Sequence, residues 1–282
     1  MANLVKKIRT SAGDLQIDYN ALANLPTISN PNLLINGNFK NAVNQREKTT
    51  YKSDANNYTR IFTIDRWNIQ NGTTLTVNNG SITLTGNSAS SGLALFSQIL
   101  EHPYVSNYVL QINVLSVTNG VVVDVYNASS NVISSTTLKN GLNTIHITNN
   151  SVFFIQFGIA SNASIKLEYV KLEQGTNATP FIPRLFAEEL IMCQRYYRCF
   201  SRTPIYAPSD TNNVYFMPLH FSPSLRSNPV TTLQEVLNGA AVGQNVTLVN
   251  CNSGTNNVTN IEFSKSIGMH GYVTIHFDAE IY

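Results

Sequence analysis

The residues able to do chemistry in this chain are few and dispersed. Its histidines are His102, His146, His220, His270 and His276, and none falls into HExxH or another metal-binding spacing. His270 and His276 lie six residues apart around Gly271 and read as ordinary polar positions. Neither a Gly-rich phosphate loop nor a GxSxG nucleophile elbow is present. Cleavage of a glycosidic bond needs two carboxylates across a cleft. Asp124, Glu168, Glu173, Asp210, Glu262, Asp278 and Glu280 are available, but only 16 acidic residues occur and no spacing pairs any two of them. The expectation is a non-catalytic protein with no cofactor and no metal. Cys193, Cys199 and Cys251 read as reduced thiols, because Cys193 and Cys199 sit six apart on one expected helix and point to different faces.

Aromatic residues carry the more plausible chemistry. The apolar C–H face of a sugar stacks on a ring, while its hydroxyls bond to Asn, Asp and Arg. Near expected loops of the C-terminal part stand Tyr206, Tyr215, His220, His270 and Tyr272. These rings read either as ligand contacts or as packing in a core or between copies of the chain. Trp67, the only tryptophan, reads either as an alternative platform or as a core residue.

The elements that must position these residues are mostly strands. The chain has 282 residues, 43% hydrophobic and 10% aromatic, enough for two folded β parts. Charged residues make up 12% and the net charge is +2, so there is no basic patch for nucleic acid. Roughly one residue in eight is Asn, which with Gly tolerates left-handed backbone and marks turns between short strands. No run is long enough to span a membrane. The N-terminal MANLVKKIRTSAGDLQ lacks an apolar run behind its lysines, so no signal peptide is expected and synthesis in the cytoplasm is.

In order, residues 1–30 read as a leader with a short hairpin, Ile8–Thr10 and Leu15–Tyr19, turning at Gly13-Asp14. Leu33–Ile35 reads as an apolar strand closed by Asn36-Gly37, and Ala42–Tyr58 as a polar loop. Short strands then follow at near-regular spacing through Ser164–Glu173, indicating an antiparallel sandwich. In the last of them Ile165, Leu167 and Tyr169 are expected inside, and Lys166, Glu168 and Lys171 in water. Pro180–Phe200 (PFIPRLFAEELIMCQRYYRCF) reads as the one helix, starting at Pro183, with Glu188 and Glu189 early and Arg195 and Arg198 in its last turn. Phe186, Leu190, Cys193 and Tyr197 recur at helical spacing, and the helix is apolar nearly all round. It reads as a connector between two β parts, as a seam between copies of the chain, or as both. Residues 201–282 form a second β region with loops at 204–213, 238–245 and 250–258, ending in a strand Tyr272–Tyr282.

Several stretches resemble known families. Asn32–Phe39 (NLLINGNF), paired with Ile165–Gly175 (IKLEYVKLEQG), resembles the first and last strands of a carbohydrate-binding-module jelly roll. The order of Asn32–Phe39, Asn44-Gln45-Arg46, Asp65-Arg66-Trp67, Leu172–Gly175 with Thr179–Phe181, and Glu188–Tyr197 resembles bacteriophage or prophage tail fibres and receptor-binding proteins. Phe221–Thr231 resembles the opening of their C-terminal head, and Ser11–Pro26 their attachment segments.

The resemblance implies residues 1–30 as attachment segment to other tail or baseplate proteins, 31–183 as jelly roll, 184–200 as connecting helix, and 201–282 as a smaller β-sandwich head. It further implies a homotrimer meeting along Phe186, Leu190, Cys193 and Tyr197, a place in the virion tail, and attachment to a bacterial cell-surface saccharide. The competing expectations are a structural baseplate or neck component that binds only virion proteins, and a free glycan-processing accessory module. The carbohydrate modules usually carry acidic calcium ligands where Asn38, Lys40 and Tyr169 stand here, so no structural calcium is expected.

Overall fold

The computed structural model describes residues 7–10, 13–16, 29–87, 92–118, 120–206, 214–227, 229–237, 246–255, 258–265 and 270–281. For 7–10, 13–16, 202–206, 214–219, 233–237, 246–255, 258–265 and 270–273 the description is of backbone alone. Strands dominate because runs of alternating β-branched residues are separated by Asn and Gly turns. In β10 (Val121–Tyr126), for example, Val121, Val123 and Val125 are buried while Val122, Asp124 and Tyr126 are half-buried. The turn at Asn79-Gly80, with Gly80 at φ +80°, closes β6 (Thr73–Asn78) onto β7 (Ser81–Gly86).

Two six-stranded antiparallel sheets face one another. The first adds β4 (Ile61–Phe62), β5 (Asn68–Gln70), β8 (Ala94–Ile99), β11 (Val132–Thr137) and β13 (Phe154–Ile159), in the order β11-β10-β13-β8-β5-β4. The second adds β3 (Thr50–Lys52), β9 (Val105–Val117), β12 (Gly141–Ser151) and β14 (Ser164–Gln174), in the order β12-β9-β14-β7-β6-β3. The Ala42–Tyr58 stretch is therefore not wholly loop: β3 lies within it, and Tyr51 buries its ring there.

Between the sheets Trp67 is fully buried and stacks on Phe96 at 4.6 Å, with Phe39 edge-on at 5.4 Å. Its indole N–H donates to the Asn36 carbonyl at 2.9 Å. This removes Trp67 from the ligand candidates: a ring closed on both faces offers none to a sugar.

Leu33–Ile35 is not a strand but an irregular segment stitched to β14. Leu33 N–H donates to the Leu172 carbonyl at 2.7 Å, and Val170 N–H to the Gly37 carbonyl at 2.8 Å. The expected pairing of the two chain regions holds although the first is bent. Gly37 is required by close approach, since a Cβ there would lie 2.4 Å from the Val170 carbonyl oxygen.

β14 departs from simple alternation. Register shifts against β9 around Leu167 and Tyr169 change its phase: Ile165 and Leu167, then Val170 and Leu172, enter the core. Tyr169, expected inside, is half-buried and stacks on Phe181, and Lys171, expected in water, is buried with Glu173 on the face away from the core, beneath Ser29 and Thr179. The buried charges are answered locally. Lys171 Nζ donates to Glu173 at 2.9 Å, to the Thr179 hydroxyl at 2.7 Å and to the Ser29 hydroxyl at 3.0 Å, and Thr179 N–H donates to Glu173 at 2.8 Å.

The helix α1 spans only Phe186–Cys193, eight residues, and starts after Leu185 rather than at Pro183. Arg195 and Arg198 lie beyond it, and Cys199 sits in a strand. The helix is not buried on several sides: Glu189 and Cys193 face inward, while Leu185 beside it and Phe186 and Ile191 on it are exposed.

Beyond α1, β15 (Tyr197–Tyr206), β20 (His270–Asp278) and β17 (Val230–Leu237) form one three-stranded sheet. β16 (Val214–His220), β19 (Val258–Lys265) and β18 (Val246–Thr255) form another. The expected loop at 250–258 is largely strand, as is 204–206; the rest of 204–213, and 238–245, lie outside the described residues. The last strand stops at Asp278 rather than running to the C-terminus. The leader forms a hairpin, β1 (Lys7–Thr10) with β2 (Gly13–Gln16), in which Gly13 and Asp14 pair with Thr10 and Arg9 instead of turning.

Replacing Trp67 by Ala is expected to lower unfolding free energy by about 3–5 kcal/mol, the range for deleting a large buried aromatic ring. Chemical denaturation followed by circular dichroism measures it; a change below 1 kcal/mol would contradict a core role.

Candidate functional site

The functional geometry centres on a buried charged seam built from short, separate stretches. Asn44-Gln45-Arg46 precedes β3, Asp65-Arg66 form the turn between β4 and β5, Tyr196-Tyr197 follow α1, and Glu280 follows β20. Arg66 adopts φ +74°, a conformation costly for a side chain and held here by what the residue touches. Its Nη1 donates to Glu280 at 2.7 Å, its backbone N–H donates to the same carboxylate at 3.0 Å, and its Nη2 donates to the Ile99 carbonyl at 2.6 Å. The Tyr196 ring covers its guanidinium at 3.7 Å.

Arg46 lies alongside. It reaches Asp65 at 3.2 Å, Asp278 at 3.5 Å and Glu280 at 3.8 Å, and stacks on the Tyr197 ring at 3.6 Å. Gln45 bridges the Asp65 carboxylate at 2.7 Å and the Tyr197 carbonyl at 2.8 Å. On the α1 side, Glu189 accepts from the Asn36 N–H at 2.5 Å and from Arg184 at 3.1 Å.

Burial sets the electrostatics. Desolvation pushes the Asp65 carboxyl up to about 7, because Arg46 and Gln45 return less than burial takes and Glu280 adds like charge. Burial works against the Arg46 charge too, but Glu280, Asp65 and Asp278 outweigh it and hold its pKa above the ordinary value. Burial, then nearby Arg46 and Lys48, push His276 down, which keeps its ring neutral. Burial raises the Cys193 thiol well above its usual range, so it is a packed apolar group and no nucleophile.

Two open clefts of about 440 Å³ flank the seam. One lies between Arg46, Lys48, Phe62, Val230, His276 and Asp278. The other lies between Leu33, Leu100, Glu101, Tyr104, Met192 and Arg195. Among the described residues, no group of three or more His, Cys, Asp or Glu converges in a way that could hold a metal. Lys40 approaches Glu168 at 3.9 Å.

The sequence-derived candidates divide as follows. Tyr206 pairs with His270 across β15 and β20, and Tyr272 pairs with Leu237 on the other side of β20, so these three share one sheet. Tyr215 and His220 lie on β16 in the other sheet, with His220 exposed. The side chains of Tyr206, Tyr215, His270 and Tyr272 lie outside the described residues. Of the four residues expected to meet a second copy, Cys193 and Tyr197 are buried within their own chain, Cys193 on the inward face of α1 and Tyr197 under Arg46. Tyr197 is not on the helix at all. Sequence reasoning missed Gln45, Arg46, Asp65, Arg66 and Glu280 as a unit. Their motif spacing was visible, but their meeting point was not.

No protein-family model and no curated protein matches this chain. Among solved structures, it is similar to a Streptococcus pneumoniae fucose binding module at 9% identity and TM-score 0.28, covering 34% of this chain and 72% of that one. It is also similar to the lectin domain of lectinolysin complexed with Lewis B antigen, at 11% identity and TM-score 0.27, covering 33% and 72%. A third is a family 29 carbohydrate-binding module, at 11% identity and TM-score 0.32, covering 49% and 100%. At these scores the likenesses add nothing to what the strand pairing itself establishes, an antiparallel β-sandwich.

Two outcomes follow from the seam. Glu280→Ala leaves Arg66 buried without its carboxylate and should cost about 3–5 kcal/mol in urea denaturation, the range for breaking one side of a buried pair. Asp65 titrates at a higher pH folded than unfolded, so the folded state binds the extra proton between about pH 4 and 7. Stability of the wild type relative to Asp65→Asn should therefore fall as pH rises through that window, by at most about 1.4 kcal/mol per unit, and level off above it. Parallel denaturation curves from pH 4.5 to 8 test this; a constant difference would refute the assignment.

Proposed function

We propose that this chain is a non-catalytic receptor-binding protein or fibre of a bacteriophage tail, or of a prophage-derived tail-like particle, that attaches to a bacterial surface saccharide. The observation that carries this reading is the convergence of the ordered motifs. NLLINGNF, NQR, DRW and the EELIMCQRYY stretch meet in one buried seam through Asn36, Glu189, Gln45, Arg46, Asp65, Arg66, Tyr196 and Tyr197. A seam of that kind makes the sandwich and the following β sheets move together, which is what a fibre needs to carry a distal contact surface on a stiff support.

In this reading, residues 1–30 attach to other tail or baseplate proteins, 31–183 form the mid-fibre sandwich, 184–200 connect, and 201–282 contact the saccharide through Tyr206, Tyr215, His220, His270 and Tyr272. The protein resides in the virion tail. Three copies on one rigid support would raise a weak single-site affinity by about 10²–10⁴. Support for assembly comes from an apolar row: Leu185, Ile191 and Phe186 are 71%, 53% and 46% exposed. Phe186 and Leu190 stay in the proposed trimer contact, Leu185 and Ile191 join it, and Cys193 and Tyr197 leave it.

The same row favours a second reading, a structural virion component that binds only protein partners. Deleting residues 201–282 would not separate the two, since it removes Glu280 and unsettles the sandwich itself. Point variants do. Tyr206→Ala and Tyr272→Ala should weaken adsorption to host cells at unchanged melting temperature. Undiminished adsorption, with tight binding to a baseplate protein, would favour the structural reading. Light scattering should give three times the 31.1 kDa chain mass, and Leu185→Asp should reduce it; a 31.1 kDa wild-type particle at micromolar concentration removes the trimer.

A further inference from the structure

We infer that the cleft between the loop after β8 and the end of α1 is a second saccharide site, specific for a neutral hexose-based ligand and built on Tyr104, Glu101 and Arg195. The inference rests on the proposed saccharide attachment and adds a location and a ligand class to it. It draws on residues of the sandwich and the connector, none of them in the C-terminal sheets.

The loop 100–104 is held at both ends. Leu100 N–H donates to the Phe153 carbonyl at 2.8 Å, and the Tyr108 hydroxyl donates to the Tyr104 carbonyl. Between these anchors the Tyr104 ring stands 63% exposed at the cleft. An isolated exposed ring is ordinary on a protein surface. Here the ring shares a cleft of about 440 Å³ with the apolar surfaces of Leu33, Leu100 and Met192. That size falls within the range of small-molecule sites.

The same cleft is lined by a polar pair. Glu101 accepts from the Tyr196 hydroxyl at 2.5 Å and from Arg195 Nη2 at 3.3 Å. Tyr196 is itself fixed, buried against the Arg66 guanidinium. Burial alone would raise the Glu101 carboxyl, but the Tyr196 hydroxyl, Arg195 and His102 outweigh it and keep it ionised. The carboxylate accepts from one sugar hydroxyl and the guanidinium beside it donates to a neighbouring one, while the ring takes the C–H face. The anchored loop and the Tyr196 hydrogen bond to Glu101 reduce the ordering cost that weakens shallow contacts.

Charge balance selects the ligand class. Of the arginines around the cleft, Arg66 is paired with Glu280, Arg184 with Glu189 and Arg195 with Glu101. An anionic sugar would meet the Glu101 charge with no guanidinium in surplus, and a cationic one would meet Arg195. A neutral polyol uses both members of the pair.

The test titrates the full-length protein with a panel of neutral di- and trisaccharides based on glucose, galactose, mannose and N-acetylglucosamine, alongside their sialylated or uronic-acid counterparts. Expected is binding of a neutral member that shifts the NMR resonances of Tyr104 and Glu101. Tyr104→Ala should weaken it about tenfold at unchanged melting temperature, in line with loss of a central aromatic contact. Tyr104→Phe should retain it, and Glu101→Gln should weaken it. Neutral binding that ignores Tyr104→Ala and Glu101→Gln, or leaves the wild-type resonances of Tyr104 and Glu101 unmoved, overturns the site. If such binding is lost with Tyr206→Ala or Tyr272→Ala, the proposed function survives without this cleft. Binding confined to acidic members overturns the ligand class. No binding of any member, together with undiminished host adsorption by the Tyr206 and Tyr272 variants, overturns both this site and the saccharide reading.

Discussion

The structure depends on one buried charge. Arg66 is placed by its turn inside the protein, with 2% of its surface exposed, and the carboxylate that answers it belongs to Glu280, 214 residues later. A lone buried guanidinium is several kcal/mol unfavourable, and a pair with good geometry offsets much of that. Such a pair adds little net stability compared with apolar packing. Its effect is on specificity, because only an assembly that brings the end of β20 to the DRW turn leaves no charge stranded. The left-handed backbone at Arg66 belongs to the same constraint, since its N–H donates to the very carboxylate its side chain pairs with.

Around that pair the polar groups form layers. Tyr196 and Tyr197 cover the two guanidinium groups, so the segment leaving α1 is fastened by its rings before it becomes β15. Glu189 fastens α1 to the Asn36 turn, which in turn receives the Trp67 indole hydrogen bond from the sandwich core. Helix, turn, core ring and C-terminus are therefore coupled through direct contacts rather than through a flexible linker. The two clefts open on either side of this fixed unit, and their walls inherit its rigidity. A binding surface carried on such a wall loses little entropy on engagement. This is where packing connects to the proposed adhesive role.

Strand content was legible because period-two alternation is a local signal. The valines of β10 and the hairpin at Asn79-Gly80 are read directly, without knowledge of neighbours. Local signals failed wherever a distant partner set the outcome. Leu33–Ile35 has strand composition, but its backbone is bent to place Gly37 against Val170. Lys171 reads as a wet position, but Ser29 and Thr179, far from it or past the end of β14 in the chain, cover it there and bury it with Glu173. The helix is apolar enough to run for twenty residues by composition, yet it ends at Cys193 because Tyr196 and Tyr197 are drawn to Arg66 and Arg46.

By itself, the sequence determined an antiparallel β protein with a single helix, an Asn-rich turn chemistry, and the order of the NQR, DRW and EELIMCQRYY stretches. These follow from side-chain pattern and from backbone preferences acting over a few residues. Tertiary structure alone decided what those stretches are for. It put Trp67 in the core instead of on the surface, withdrew Cys193 and Tyr197 from any contact between copies, and set Tyr104 beside Glu101 and Arg195. The physical reason is range. Burial, charge pairing and cleft shape depend on groups that meet in space across separations from 19 residues, for Arg46 and Asp65, to 214, for Arg66 and Glu280, and no local pattern records which of them will meet.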